Sequence, residues 1–118
     1  MAQFRNEFDA AEDWYRKALK IKEMLGNRPS MAITYAQLGV LAEARGRVPT
    51  AFQWFIQCIL LFDKFDHRSA GPALQNLAIL TKTYGAQTLA TAWSDVTGEG
   101  LPDGLIAVLR QIKEGDKK

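Results

Sequence analysis

The residues best equipped for chemistry lie between positions 58 and 69: Cys58, Asp63, Asp66, His67 and Ser69. A thiol or hydroxyl beside an imidazole and a carboxylate is the material of nucleophilic catalysis, in which a base takes the nucleophile's proton and an acid orients the base. The surrounding sequence argues for a plainer use. Asp66-His67 falls in a polar stretch between two apolar runs, where such side chains satisfy a turn. The chain has one histidine and one cysteine, so there is no two-histidine metal site, and no carboxylate spacing matches a cation-binding loop. The stretch "GEGLPDG" carries three glycines, yet it follows no strand and matches no phosphate loop. The expectation is a non-enzyme with no metal and no cofactor.

The bulk composition narrows the remaining classes. The chain has 118 residues, 47% of them hydrophobic and 24% charged, with a net charge of +2. That suits one soluble domain around a single core. It lacks the one-sided positive field of a nucleic-acid binder. The strongest basic cluster, Arg16, Lys17, Lys20 and Lys22, has Glu12 and Asp13 one helical turn before Arg16 and Lys17, which reads as a solvated outer helix face. One cysteine excludes an intrachain disulfide and favours a reducing compartment. "MAQFRNEFDA" has no apolar signal core, and no apolar run approaches the roughly 18 residues of a membrane span. A cytoplasmic protein with neither nucleic-acid nor membrane partners is expected.

The elements that would position any site come from an internal repeat, the feature to be sought first in a sequence. Trp14, Trp54 and Trp93 are 40 and then 39 residues apart. Each has an alanine three residues before it (Ala11, Ala51, Ala90) and a small residue four after it (Ala18, Cys58, Thr97). Eight residues before each stands a turn-former: Asn6, Gly46, Gly85. Aromatic residues follow the first two tryptophans, Tyr15 and Phe55, while Ser94 follows the third. "TYAQLGVLAEARGR" aligns with "ALQNLAILTKTYGA", matching Leu38 to Leu77 and Gly39 to Ala78. Each unit reads as two helices, with Ile33, Leu38 and Leu41 at helical spacing in the first and Phe52, Phe55, Ile56 and Ile59 in the second. Gly46 stops one helix and Pro49 suits the first turn of the next. Gly39, Ala51 and Cys58 mark places where paired helices approach too closely for larger side chains, with Tyr35 and Phe55 filling the space beside them. The recurring tryptophans read as inter-helix packing. Helices are expected near 8–25, 31–45, 49–65, 71–84, 86–97 and 102–113.

Tyr35-x2-Leu38-Gly39 followed by Ala51-x3-Phe55 resembles the tetratricopeptide repeat pattern. The copy at Leu74-x2-Leu77-Ala78, with Ala90 and Ser94, departs from it further, as do Ala42 and Thr81. The long period is similar to that of kinesin light chains and of arrays in bacterial signal-transducing NTPases. The resemblance covers residues 1 to 97 and implies an all-α, right-handed α-solenoid of antiparallel helix pairs. Its divisions are a partial repeat at 1–30, a repeat at 31–70, a degenerate repeat at 71–98, a capping helix at 101–114 and a tail at 115–118. Leu101, Leu105, Val108, Leu109 and Ile112 form the apolar stripe of that last helix, which would cover the exposed end of the array.

The resemblance also implies a use. In that family a bound peptide contacts the first helix of each unit, on the concave face. The corresponding positions here are Gln37, Val40, Glu43 and Ala44, then Gln75, Asn76, Ile79, Lys82 and Thr83. Asn76 matches an asparagine that holds a peptide backbone, a task suited to an amide's paired donor and acceptor, and Gln37 stands in the preceding unit. The branch that clamps a terminal carboxylate with Lys, Asn and Arg fits poorly, since only Asn76 and Lys82 are available. The expected function is a protein-interaction module, a scaffold or adaptor binding a protein or peptide. The alternative is a regulatory, ligand- or peptide-sensing segment of a larger signalling protein. Aligning Asn6 with Gly46 leaves the first Trp helix without its own partner, with Phe8, Trp14, Tyr15 and Leu19 to be covered. Self-association through that N-terminal face is therefore expected.

Overall fold

The computed structural model describes the backbone of residues 2–61 and 67–115, and the side chains of residues 7–61 and 73–110. Regular structure over that span is entirely α-helical: α1 (Ala2–Leu25), α2 (Arg28–Ala44), α3 (Val48–Leu60), α4 (His67–Tyr84), α5 (Ala86–Thr97) and α6 (Asp103–Gly115). None of these helices is long and apolar enough to cross a membrane.

Local chemistry sets the boundaries. The Asn27 side chain accepts the Ser30 N–H at 3.2 Å, capping α2, and Pro29 sits in the first turn, where its missing N–H leaves no bond unmade. Helix α2 therefore starts at Arg28, three residues before the expected start at 31. Helix α4 likewise starts at His67 and not at 71. A single residue, Gly85, joins α4 to α5 with φ at 102°. A side chain there would be strained, so the repeat's turn position demands glycine. Asn6 does not share that role. Helix α1 runs continuously through it, so residues 2–5 belong to the first Trp helix and not to the end of a separate one. The expected extension of α3 to 65, the side chains of Asp63, Asp66, His67, Ser69 and Ile112, and the tail beyond 115 lie outside the described residues.

The core forms where α2 lies on α3. Phe55 has no exposed surface, and its ring fills the space left by Gly39: a Cβ at that glycine would lie 2.7 Å from Phe55 Cζ. Four residues before Gly39, the ring of Tyr35 stacks on Trp54 with centroids 5.8 Å apart. One turn earlier again, Ala32 offers its carbonyl to the Cys58 thiol at 3.3 Å. Helix α3 also packs on α4 and α5, and α6 packs on α4. Leu74, Leu77 and Leu80 of α4, Leu89 and Trp93 of α5 and Leu105 of α6 complete one continuous buried cluster.

The tryptophans do not share one role. Trp93 is 3% exposed and Trp54 is half-buried, but Trp14 is 71% exposed. The difference follows from the helices beside them: α2 brings Tyr35 to Trp54, whereas α2 meets α1 along another side, burying Leu19. The apolar pattern of α2 also divides differently from expectation. Ala32, Tyr35, Leu38, Gly39 and Ala42 are buried, while Ile33 is exposed and Leu41 only half-buried.

Gly39→Ala should destabilise the fold by about 1–3 kcal/mol, the usual effect of overpacking a filled core. Helix propensity alone predicts the opposite sign, a gain of roughly 1 kcal/mol. Urea unfolding decides between them. Gly104→Ala in α6, where an added Cβ meets nothing within 4 Å, serves as the comparison free of overpacking, and should be neutral or stabilising.

Candidate functional site

Two polar ties hold α1 against α2. At one end Lys22 Nζ donates to Thr34 Oγ1 at 2.7 Å and to the Ser30 carbonyl at 3.4 Å. Thr34 is fully buried, and its hydroxyl donates a hydrogen bond to the Ser30 carbonyl at 3.2 Å. Lys22 thus leaves the solvated face expected of it and satisfies a buried hydroxyl. At the other end Arg45 reaches Asp9 at 2.6 Å and Glu12 at 3.9 Å, and Arg47 also approaches Glu12 at 3.9 Å. Arg45 is the more significant of the two arginines, because its side chain is only 11% exposed. The pairs Arg16–Glu12 and Lys17–Asp13 form as expected, at 3.7 and 3.3 Å. The Arg16 guanidinium also lies 5.1 Å above the Trp54 ring.

Between these ties the two helices leave an open depression of about 530 Å³. Phe8, Ala11 and Tyr15 form its α1 wall. Ile33, Ala36, Gln37, Val40, Leu41 and Ala44 form its α2 wall. The lining is apolar except for the Gln37 amide and the Tyr15 hydroxyl, each able to donate and accept. Val40 and Ile33 remain 54% and 60% exposed there.

Of the expected binding residues, Gln37, Val40 and Ala44 are therefore brought together in one groove, and that groove's other wall is α1. Lys82 lies elsewhere, in a depression shared with Ala78, Leu89, Leu101 and Leu109 among α4, α5 and α6. Glu43, Gln75, Ile79 and Thr83 are exposed and Asn76 is half-buried, and none of them lines either depression. Thr83 instead donates its hydroxyl to the Ile79 carbonyl at 2.9 Å. Phe8, Ala11, Tyr15, Ile33, Ala36 and Leu41 are the groove residues that reading the sequence missed. Ile33, Gln37, Val40 and Ala44 do follow one helical stripe, a signal that was present but looks the same whether a stripe is buried or open.

The described nucleophile is built for packing. Cys58 is buried, its thiol donates to a backbone carbonyl, and loss of solvation pushes its pKa up to about 11. Burial also raises the Tyr35 hydroxyl, helped by the negative charges of Glu23 and an ionised Cys58. Among the described residues no three His, Cys, Asp or Glu side chains gather as a metal site requires. No protein-family model, curated protein or solved structure matches this chain.

Cys58 should resist thiol reagents in the native state and react at once in denaturant. Because its folded pKa lies above the ordinary thiol value of 9.0, the native state holds the thiol proton where the unfolded chain releases it. The Cys58 contribution to stability should therefore be fully present below pH 9 and be lost between about pH 9 and 11, with Cys58→Ala removing that part of the fall. Rapid labelling of the native protein at pH 8 would contradict this account of the site.

Proposed function

We propose that this chain is a protein-interaction module, a scaffold or adaptor that receives a segment of another protein in the groove between α1 and α2. The observation that carries the reading is the groove itself. It exposes Ile33 and Val40 beside a single amide, on helices tied at both ends by part-buried polar contacts. Apolar surface of this kind on rigid elements, with a few groups to orient a ligand, is what a peptide-docking site needs.

The tetratricopeptide-like architecture belongs to the same proposal. The helix-on-helix contact of Gly39 with Phe55, the neighbouring second helices α3 and α5, and the seating of α6 on α4 support a short α-solenoid with a terminal cap. The recurrence of Val40 as Ile79, the latter 47% exposed, supports a first-helix face left available in each unit. The weight of binding then falls on Gln37, Val40 and Ala44, with Asn76 and its neighbours on α4 as a second contact area.

A photo-crosslinking residue at Val40, expressed in cells, should yield a discrete crosslinked protein, while one at the exposed Gln87 of α5 should not. With the partner in hand, Val40→Glu should weaken binding by about 1–3 kcal/mol through burial of an unpaired charge. Asn76→Ala should cost less. Equal crosslinking from both positions, or a partner retained by Val40→Glu and lost with Asn76→Ala, would move the site off this groove.

A further inference from the structure

Helix α1 carries a second apolar surface, beyond the groove. Trp14, Ala18, Ile21 and Leu25 recur at helical spacing along one stripe, and Trp14, Ile21 and Leu25 are strongly exposed, with Met24 at its margin. The chain itself displays what such a face accepts. On α3 the repeat's equivalents of Trp14 and Ala18 are Trp54 and Cys58. There α2 meets them by laying Tyr35 on Trp54 and the Ala32 carbonyl on the Cys58 thiol. The covering helix thus brings an aromatic and a small residue one turn apart. Helix α1 has that same pair, Trp14 and Ala18, on its open stripe. It is at once the uncovered face and a helix of the kind that covers it.

We infer that the occupant is a second copy of this chain, with α1 packed antiparallel on α1. Charge distribution selects that direction. Asp9, Glu12, Arg16 and Lys22 are engaged with α2 and α3; of the remaining charges among the described side chains, Glu7 and Asp13 lie in the first half of the helix and Lys17 and Lys20 in the second, with Glu23 the acid among them. Parallel packing sets like ends together. Antiparallel packing sets acidic against basic at both ends, as a two-fold axis requires. With Trp14 over the second copy's Ala18, the small residue admits the indole, and Asp13 faces the second copy's Lys20 on the same flank. The two-fold axis then passes level with Arg16, beside Lys17 on that flank. In that register residues 7–25 of the two helices overlap, and at about 1.5 Å per residue the contact is roughly 28 Å long. With the flanking α2 side chains, that length suits the ~1,200 Å² at the lower bound of stable interfaces.

The test uses the full chain in sedimentation equilibrium over nanomolar to high-micromolar concentrations. A monomer–dimer equilibrium is expected, and Trp14→Lys, at a position already open to water, should raise the dissociation constant at least ~30-fold with unchanged circular dichroism. Lys17→Cys should form a disulfide-linked dimer on mild oxidation, while Leu25→Cys should not. A monomer at every concentration, a dimer indifferent to Trp14→Lys, or preferential crosslinking through Leu25→Cys overturns the proposal. So does a monomer that binds a peptide of residues 28–46 in a Trp14-dependent way, which would assign the face to a foreign helix. Crosslinking at Val40 is read separately, so the groove and this interface can fail independently.

Discussion

The fold depends on how closely α2 approaches α3, and that distance is set by one glycine. Gly39 leaves room for the tip of the Phe55 ring, and a Cβ there would lie 2.7 Å from Phe55 Cζ. Once that approach is fixed, its consequences run along both helices. Tyr35 reaches Trp54, the Cys58 thiol finds the Ala32 carbonyl, and Ala42 and Ala51 are sealed from water. A close-packed interior transmits such a constraint because it has little free volume to absorb a shift. Helix α3 is then the shared floor on which α4 and α5 also rest.

The seam between α1 and α2 is built on a different principle. Here the helices are held apart at the groove and tied at its ends by Lys22 with Thr34 and by Arg45 with Asp9 and Glu12. Thr34 has no exposed surface, so its hydroxyl would be costly if left unmatched, and the lysine ammonium and a backbone carbonyl satisfy it on both sides. This arrangement gives a stiff frame without filling the space inside it. A tightly packed seam such as α2–α3 has nothing left to offer a partner, whereas the polar-tied seam keeps Ile33 and Val40 at the surface.

Much of the helical order was legible in the sequence because the relevant signals are local. Gly46, Pro49, Gly85 and Pro102 punctuate it, and α5 begins and ends where its pattern says. Gly39, Ala51 and Cys58 were recognisable as sites of close approach because the repeat puts small residues opposite large ones. What escaped was long-range. Asn6 aligns with turn glycines, yet asparagine has no need to leave a helix, and α1 passes through it. Asn27 could have been read as a cap three residues before Ser30, which would have placed the start of α2 correctly. The Arg45–Asp9 tie joins residues with no sequence relation. The candidate site was half legible: Gln37, Val40 and Ala44 converge, but their opposite wall is α1, and the α4 residues do not join them.

The proposed second copy would meet the chain on the exposed Trp14 side of α1. Residue-resolved hydroxyl-radical footprinting of the native chain across a concentration series tests that most directly. The account predicts that in dilute solution Trp14 oxidises far faster than Trp93, and that its protection grows with concentration while that of Trp93 stays constant. Equal protection of Trp14 and Trp93 at the lowest concentration would show that α1 is already covered within the chain. Trp14 reactivity that never declines would show that no second copy meets it.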